Sequence, residues 1–185
     1  MSERGETLEE VAERLRELAS LGAVWAATAT EQLLGRTVLT HAPTVHGGLD
    51  LVPSGEWSTG LLFTTHGDFP GLVGVFVTPS TRCNVVRLLL GSPPGEPDAA
   101  AVESALREFG NIVVSQTLSA IANATGGRIE PSVPELVMEN AAAVLATRLP
   151  SRWRGYPGLL VGTELFDRQG DLRALLVFAP DPKHL

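Results

Sequence analysis

Ser104-Ala105-Leu106-Arg107-Glu108-Phe109-Gly110-Asn111, with Pro134 twenty-three positions beyond its end, decides how the rest of the chain is read, because its polar spacing occurs twice. Glu17 and Ser20 are three residues apart and Pro43 follows Ser20 by twenty-three, the same intervals that separate Glu108, Asn111 and Pro134. The two sets are offset by 91 residues, close to half of the 185-residue chain. A polar pattern repeated at that offset, intact once and altered once, points to a duplicated module that kept one working site.

Helix signals repeat at the same offset. Thr7-Leu8-Glu9-Glu10 is a capping-box pattern, and Gly35 is placed to stop a helix through Leu34, about 40 Å long at 1.5 Å per residue, with Gly22 as a possible interruption. In the second half Asp98 is the N-cap, a long run continues through Ala124, and Gly126-Gly127 is the stop, again 91 residues after Gly35. Each helix is followed by an extended segment, Thr37 to Thr44 and Arg128 to Val133. Each half then has a hairpin: Leu61–Thr65 with Leu72–Val77, and Leu159–Phe166 with Leu172–Ala179. A short helix is expected from Glu139 to Leu149. Another, opened by Pro79-Ser80-Thr81 and running through Leu90, has no counterpart after Pro180-Asp181-Pro182.

The Pro- and Gly-rich run from Gly91 to Pro97 joins the halves. The expected architecture is a single α/β domain, 1–185, of two pseudo-two-fold repeats, about 7–92 and 98–185. Its long helices pack on one face of a shared, mainly antiparallel sheet.

Composition removes several classes of function. Twenty-one acidic against fourteen basic residues give a net charge of −7, which repels a phosphate backbone, so nucleic acid is not an expected partner. The N-terminal stretch Met1–Leu18 is rich in Glu and Arg and lacks a secretory apolar core, and no apolar run is long enough to span a membrane. A cytoplasmic location is the resulting expectation. The single cysteine, Cys83, allows no internal disulfide or thiolate metal cage and reads as a small buried hydrophobe. His41, His46 and Asp50 match no metal-ligand spacing, so no metal is expected on this chain. His46-Gly47-Gly48 lacks the Gly-x-Ser-x-Gly elbow an esterase would need, and no nucleotide-binding glycine loop is present. Trp153 and Tyr156, flanked by Arg152 and Arg154, read as a loop capping the sheet, with partner contact as the alternative.

At 100° per residue, Ser104, Glu108, Asn111 and Ser115 form one polar stripe, roughly opposite Val102, Leu106, Phe109 and Val113. An outward stripe is polar in any amphipathic helix, yet this one holds short groups where Lys and Glu usually alternate. Glu13, Glu17, Ser20 and Val24 are the first-half equivalents, so the amide has become a hydroxyl and an apolar residue has entered. A carboxylate and a carboxamide one turn apart lack the nucleophile and base of covalent catalysis. A carboxamide nevertheless offers a donor and an acceptor that can orient an attacking water, and a neighbouring carboxylate can pair with a partner's lysine.

The pattern Ser-x3-Glu-x2-Asn-x22-Pro at Ser104, Glu108, Asn111 and Pro134 resembles the signature of the CheC, CheX and FliY chemotaxis phosphatases, and two tandem copies favour a CheC-like member. Leu21-Gly22-Ala23, Ala26-Ala27-Thr28-Ala29 and Gln32-Leu33-Leu34-Gly35-Arg36 resemble the segment after that family's first-site Asn. The resemblance implies dephosphorylation of a phosphorylated CheY-like response regulator, with Mg²⁺ held by the regulator and no cofactor on this chain. It implies that Asn111 positions the water, that Glu108 contacts the regulator's lysine, and that Ser104 and Pro134 support them. The first site, Glu17, Ser20 and Pro43, is expected to be inactive or weak, because a serine hydroxyl is shorter than a carboxamide. Binding to the deamidase CheD is a further possibility within the family. The alternative is a non-catalytic CheC-like module that binds a receiver domain, CheD or a flagellar-switch protein.

Overall fold

In the computed structural model, which describes residues 7–47, 56–91, 97–149 and 158–181, helix α1 runs unbroken over Leu8–Leu34. The Thr7 hydroxyl accepts from the Glu10 amide at 3.2 Å and the Glu10 carboxylate accepts from the Thr7 amide at 2.8 Å, which completes the capping box. Gly35 ends the helix in the left-handed region at φ 66°. Gly22 is no interruption: a Cβ there would lie 2.7 Å from Cγ2 of Thr117 on the second long helix, so it permits close helix packing. That helix, α3, spans Ala99–Thr125, capped by Asp98, whose carboxylate accepts from the Ala101 amide at 2.7 Å, and stopped by Gly126. Between them α2, Pro79–Leu90, begins one residue after its cap Thr78.

Each expected extended segment contains one short strand, β1 (Leu39–Thr40) or β5 (Ile129–Pro131), and a second short strand continues past the expected end, β2 (Thr44–Gly47) or β6 (Glu135–Val137). The hairpins are β3 (Thr59–Gly67) with β4 (Gly71–Val77), and β7 (Leu159–Phe166) with β8 (Arg173–Pro180). All eight lie in one antiparallel sheet ordered β1-β7-β8-β4-β3-β5, with β2 also on β7 and β6 also on β3. The pseudo-two-fold axis passes between β4 and β8, where Gly74 pairs with Val177. Around it Val45 meets Val161 as Leu136 meets Leu61. The short strands are therefore exchanged: those of the first repeat border the second repeat's hairpin, and the reverse.

Successive strand residues face opposite ways, and here both faces are covered. Leu61, Phe63, Val73, Val75, Leu176 and Phe178 join the core beneath α1, α2 and α3. Leu62, Phe76, Leu160 and Val177 turn to the other face, against Trp57 and against Ala141 and Leu145 of α4 (Ala141–Arg148), the short helix expected between Glu139 and Leu149. Cys83 departs from expectation and is exposed. Helix α2 buries Thr81, Val85 and Val86, and two residues from Thr81 and Val85 the 100° period turns the thiol outward. Asp50, the Trp153–Tyr156 cluster, Ser92–Glu96 in the joint and Pro182 lie outside the described residues.

One ion cluster fixes the end of α1 to the β7–β8 turn. Arg36 Nη1 donates to Asp167 and to Asp171, both at 2.9 Å, and Asp167 also accepts from the amides of Asp171 and Leu172. Burial alone would raise the Asp167 pKa, but the bonds from Arg36 and from the turn amides outweigh it and hold the carboxyl below its ordinary value. A depressed carboxylate stabilises the fold fully above its unfolded pKa of about 3.9 and loses that contribution as pH falls through the folded value. Asp167→Asn is therefore expected to cost about 2–3 kcal/mol at neutral pH and to flatten the acid limb of the stability profile, read by urea unfolding at several pH values.

Candidate functional site

The stripe on α3 is held from behind. Leu106, Phe109, Val113 and Val114 are buried almost completely in the core beneath the helix, and Gly110 lies directly against β3. A Cβ at Gly110 would sit 2.9 Å from Cδ2 and 3.2 Å from Cβ of the fully buried Leu61, so only glycine lets the helix settle this close. Glu108 and Asn111 flank that glycine on the opposite side and are both exposed, as are Ser104 and Ser115. Residues three apart on a helix have Cβ atoms about 5–6 Å from each other, close enough for one small group to touch both side chains. Among the described residues the side chain of neither Glu108 nor Asn111 has a hydrogen-bonding or ionic partner, so their side-chain donors and acceptors face outward uncommitted. Ser104 lies along the same stripe without bonding to either.

Pro134 is buried at the entry to β6 and is tied to the helix through a side chain that sequence reasoning did not single out. Arg107, next to Glu108, donates to the Pro134 carbonyl oxygen and also, at 2.8–2.9 Å, to Glu103. A backbone acceptor carries no residue identity, so this clamp has no signature in the sequence. In the first repeat Glu13, Glu17 and Ser20 are likewise exposed on α1 and Pro43 is buried before β2. Arg16, the counterpart of Arg107, is paired with Glu13 instead. Both stripes thus lie exposed on a long helix beside a buried proline, the arginine clamp is made in the second repeat, and the amide at Asn111 against the hydroxyl at Ser20 is the chemical difference at their centres.

His41 and His46 lie elsewhere. The His41 ring packs against Phe166 at a tilt of 43° with ring centroids 4.4 Å apart, and His46 Nε2 is 3.0 Å from the Thr44 hydroxyl. Also outside the expected set is a groove of about 360 Å³ between α1 and α3, walled by Trp25, Thr28 and Gln32 on one side and by Ile112 and Gln116 on the other. Ile112 directly follows Asn111. Leu21, Val24 and Trp25, all well exposed, were the available signal, being apolar residues off the buried face of α1.

This arrangement of two long helices on an antiparallel sheet is shared with chemotaxis proteins of known structure. CheX from Desulfovibrio desulfuricans superposes with a TM-score of 0.68 at 13% identity, covering 89% of this chain and 99% of that one. CheX in a complex with CheY, BeF3 and Mg²⁺ from Borrelia burgdorferi superposes at 0.61 with 14% identity, over 87% and 96% of the two chains. In sequence, residues 102–138 match the model of the CheC-like family, and the chain is 30% identical to the CheY-P phosphatase CheC of Bacillus subtilis (strain 168) over 94% of its own length and 89% of that protein's. The chain belongs to the CheC-like family.

Proposed function

We propose that this chain accelerates hydrolysis of the aspartyl-phosphate of a CheY-like response regulator, using Glu108 and Asn111 of the second repeat. The observation that carries the reading is the exposure of an uncommitted carboxylate and carboxamide on one helical turn, backed by a glycine packed on the sheet. Relatedness to a CheY-P phosphatase supplies the substrate class.

In this reading the regulator brings the phosphorylated aspartate, its Mg²⁺ and a lysine. Glu108 pairs with that lysine and fixes the docking angle. Asn111 accepts a hydrogen bond from a water through its carbonyl oxygen and donates one to the water's oxygen through its NH₂, which aims a lone pair at phosphorus. The water oxygen bonds to phosphorus as the aspartyl C–O–P linkage opens at the O–P bond, leaving a carboxylate and inorganic phosphate, with the water proton passing to phosphate oxygen. Positioning supplies the acceleration in such a step, since the groups on this chain form no covalent intermediate. The first-repeat stripe, with Ser20, lacks the amide and is inactive or weak in hydrolysis.

The test is to follow phosphate release from a phosphorylated CheY-like receiver with and without the chain. A decay rate that rises with chain concentration and saturates is the expected result. Unchanged decay across that range, with complex formation demonstrated, leaves a binding module and rejects the enzyme.

A further inference from the structure

We propose that the receiver engaged at Asn111 docks across both long helices, with Trp25 of the altered repeat as its apolar anchor, so that one chain binds one receiver and the first stripe serves as docking ground. The proposal rests on the phosphatase reading of α3.

The geometry follows from how the helices pass one another. Gly22 of α1 abuts Thr117 and Ile121 of α3, whereas Trp25 through Leu33 share a groove with Ile112 and Gln116, so the helices run antiparallel. Trp25 is then level with residues about three positions along α3 from Asn111, roughly 4–5 Å along the axis and 8–10 Å across it, or about 10 Å in all. A specific interface covers about 800 Å² per partner, a patch of about 16 Å radius. A receiver centred on Asn111 with an interface of that size covers Trp25.

The surface it would meet is suited to the purpose. Trp25 is 51% exposed and lines the groove with the partly exposed Ile112, and its chain neighbour Val24 is 53% exposed. Tryptophan is over-represented among residues that dominate binding energy, and a polar stripe alone offers little apolar area. Trp25 and Gln116 are also equivalent under the 91-residue offset and line the same groove, which places both close to the pseudo-two-fold axis. The indole therefore lies between the two stripes. By the same arithmetic Ser20 is about 12 Å along the axis from Asn111 and about 15 Å away in all. A receiver-sized domain is about 30 Å or more across, so two side by side would overlap.

The experiment titrates the chain against a CheY-like receiver loaded with beryllofluoride and Mg²⁺, and separately measures dephosphorylation over a range of phosphorylated receiver. Trp25→Ala is expected to raise Kd and KM at least tenfold with kcat within twofold of the unaltered chain, at a stoichiometry of one to one. Gln116→Arg, which changes the facing wall of the groove, is expected to weaken binding in the same sense. Circular dichroism checks that either variant is folded. Kd within twofold of the unaltered value for both folded variants, or two receivers bound per chain, overturns the proposal while leaving the role of Asn111 standing. Loss of kcat at unchanged KM in Trp25→Ala overturns it as well. An unaltered chain that binds no receiver at all removes the phosphatase reading together with this one.

Discussion

Asn111→Ala is expected to reduce the saturating rate of receiver dephosphorylation by about 100-fold, the loss typical when one preorganised hydrogen-bonding group is removed from a reacting centre. The side chain is exposed and makes no bond within the described structure, so its removal opens no cavity and breaks no internal contact. Kd for the beryllofluoride-loaded receiver should stay within a few-fold, because a water-positioning amide acts in the transition state more than in the ground state. Asn111→Ser recreates the chemistry found at Ser20 and should be nearly as impaired. Full activity in Asn111→Ala, measured by phosphate release at saturating receiver, would remove the mechanism proposed for this helix.

A second large effect is expected two residues earlier, of a different kind. Phe109 is 1% exposed, faces the core beneath α3, and lies between Glu108 and the glycine that contacts Leu61. Phe109→Ala should cost about 3–5 kcal/mol, the usual consequence of emptying an aromatic site in a packed core. Urea denaturation reads this as a lower midpoint with little change in slope. A cost below about 1 kcal/mol would mean that α3 is not seated on the sheet as described. Taken together, the two substitutions separate the outer face of one helical turn, where the proposed chemistry is at stake, from its inner face, where stability is.

The helices were legible in the sequence because their signals are local. Thr7 with Glu10, Asp98, Gly35 and Gly126 each act within a turn or two of where they stand, and all occupy the expected positions. Pro79 likewise opens α2. Gly22 was ambiguous because a glycine in a helix reads the same whether it breaks the helix or admits a neighbour, and the neighbour, Thr117, is far away in the chain. Exchange of the short strands was invisible for a related reason. Thr37–Thr44 announces extended backbone without saying which edge accepts it. Cys83 shows how a residue type can mislead where helical phase decides. At the candidate site the polar stripe followed from the 100° period, whereas Arg107 reaching a carbonyl and Trp25 walling a groove depend on how separate elements meet.

The exchanged strands bear on how such a chain could have arisen. With β5 and β6 lying along the first repeat's β3, and β1 and β2 along the second repeat's β7, neither hairpin has its outer edge covered by its own repeat. A polypeptide holding a single repeat would leave that edge bare, and would close its sheet only by lending its short strands to an identical molecule and borrowing that molecule's in return. In such an assembly every change at one stripe appears at both. Joining two copies end to end breaks that constraint, and a serine can then stand at position 20 while an asparagine remains at position 111.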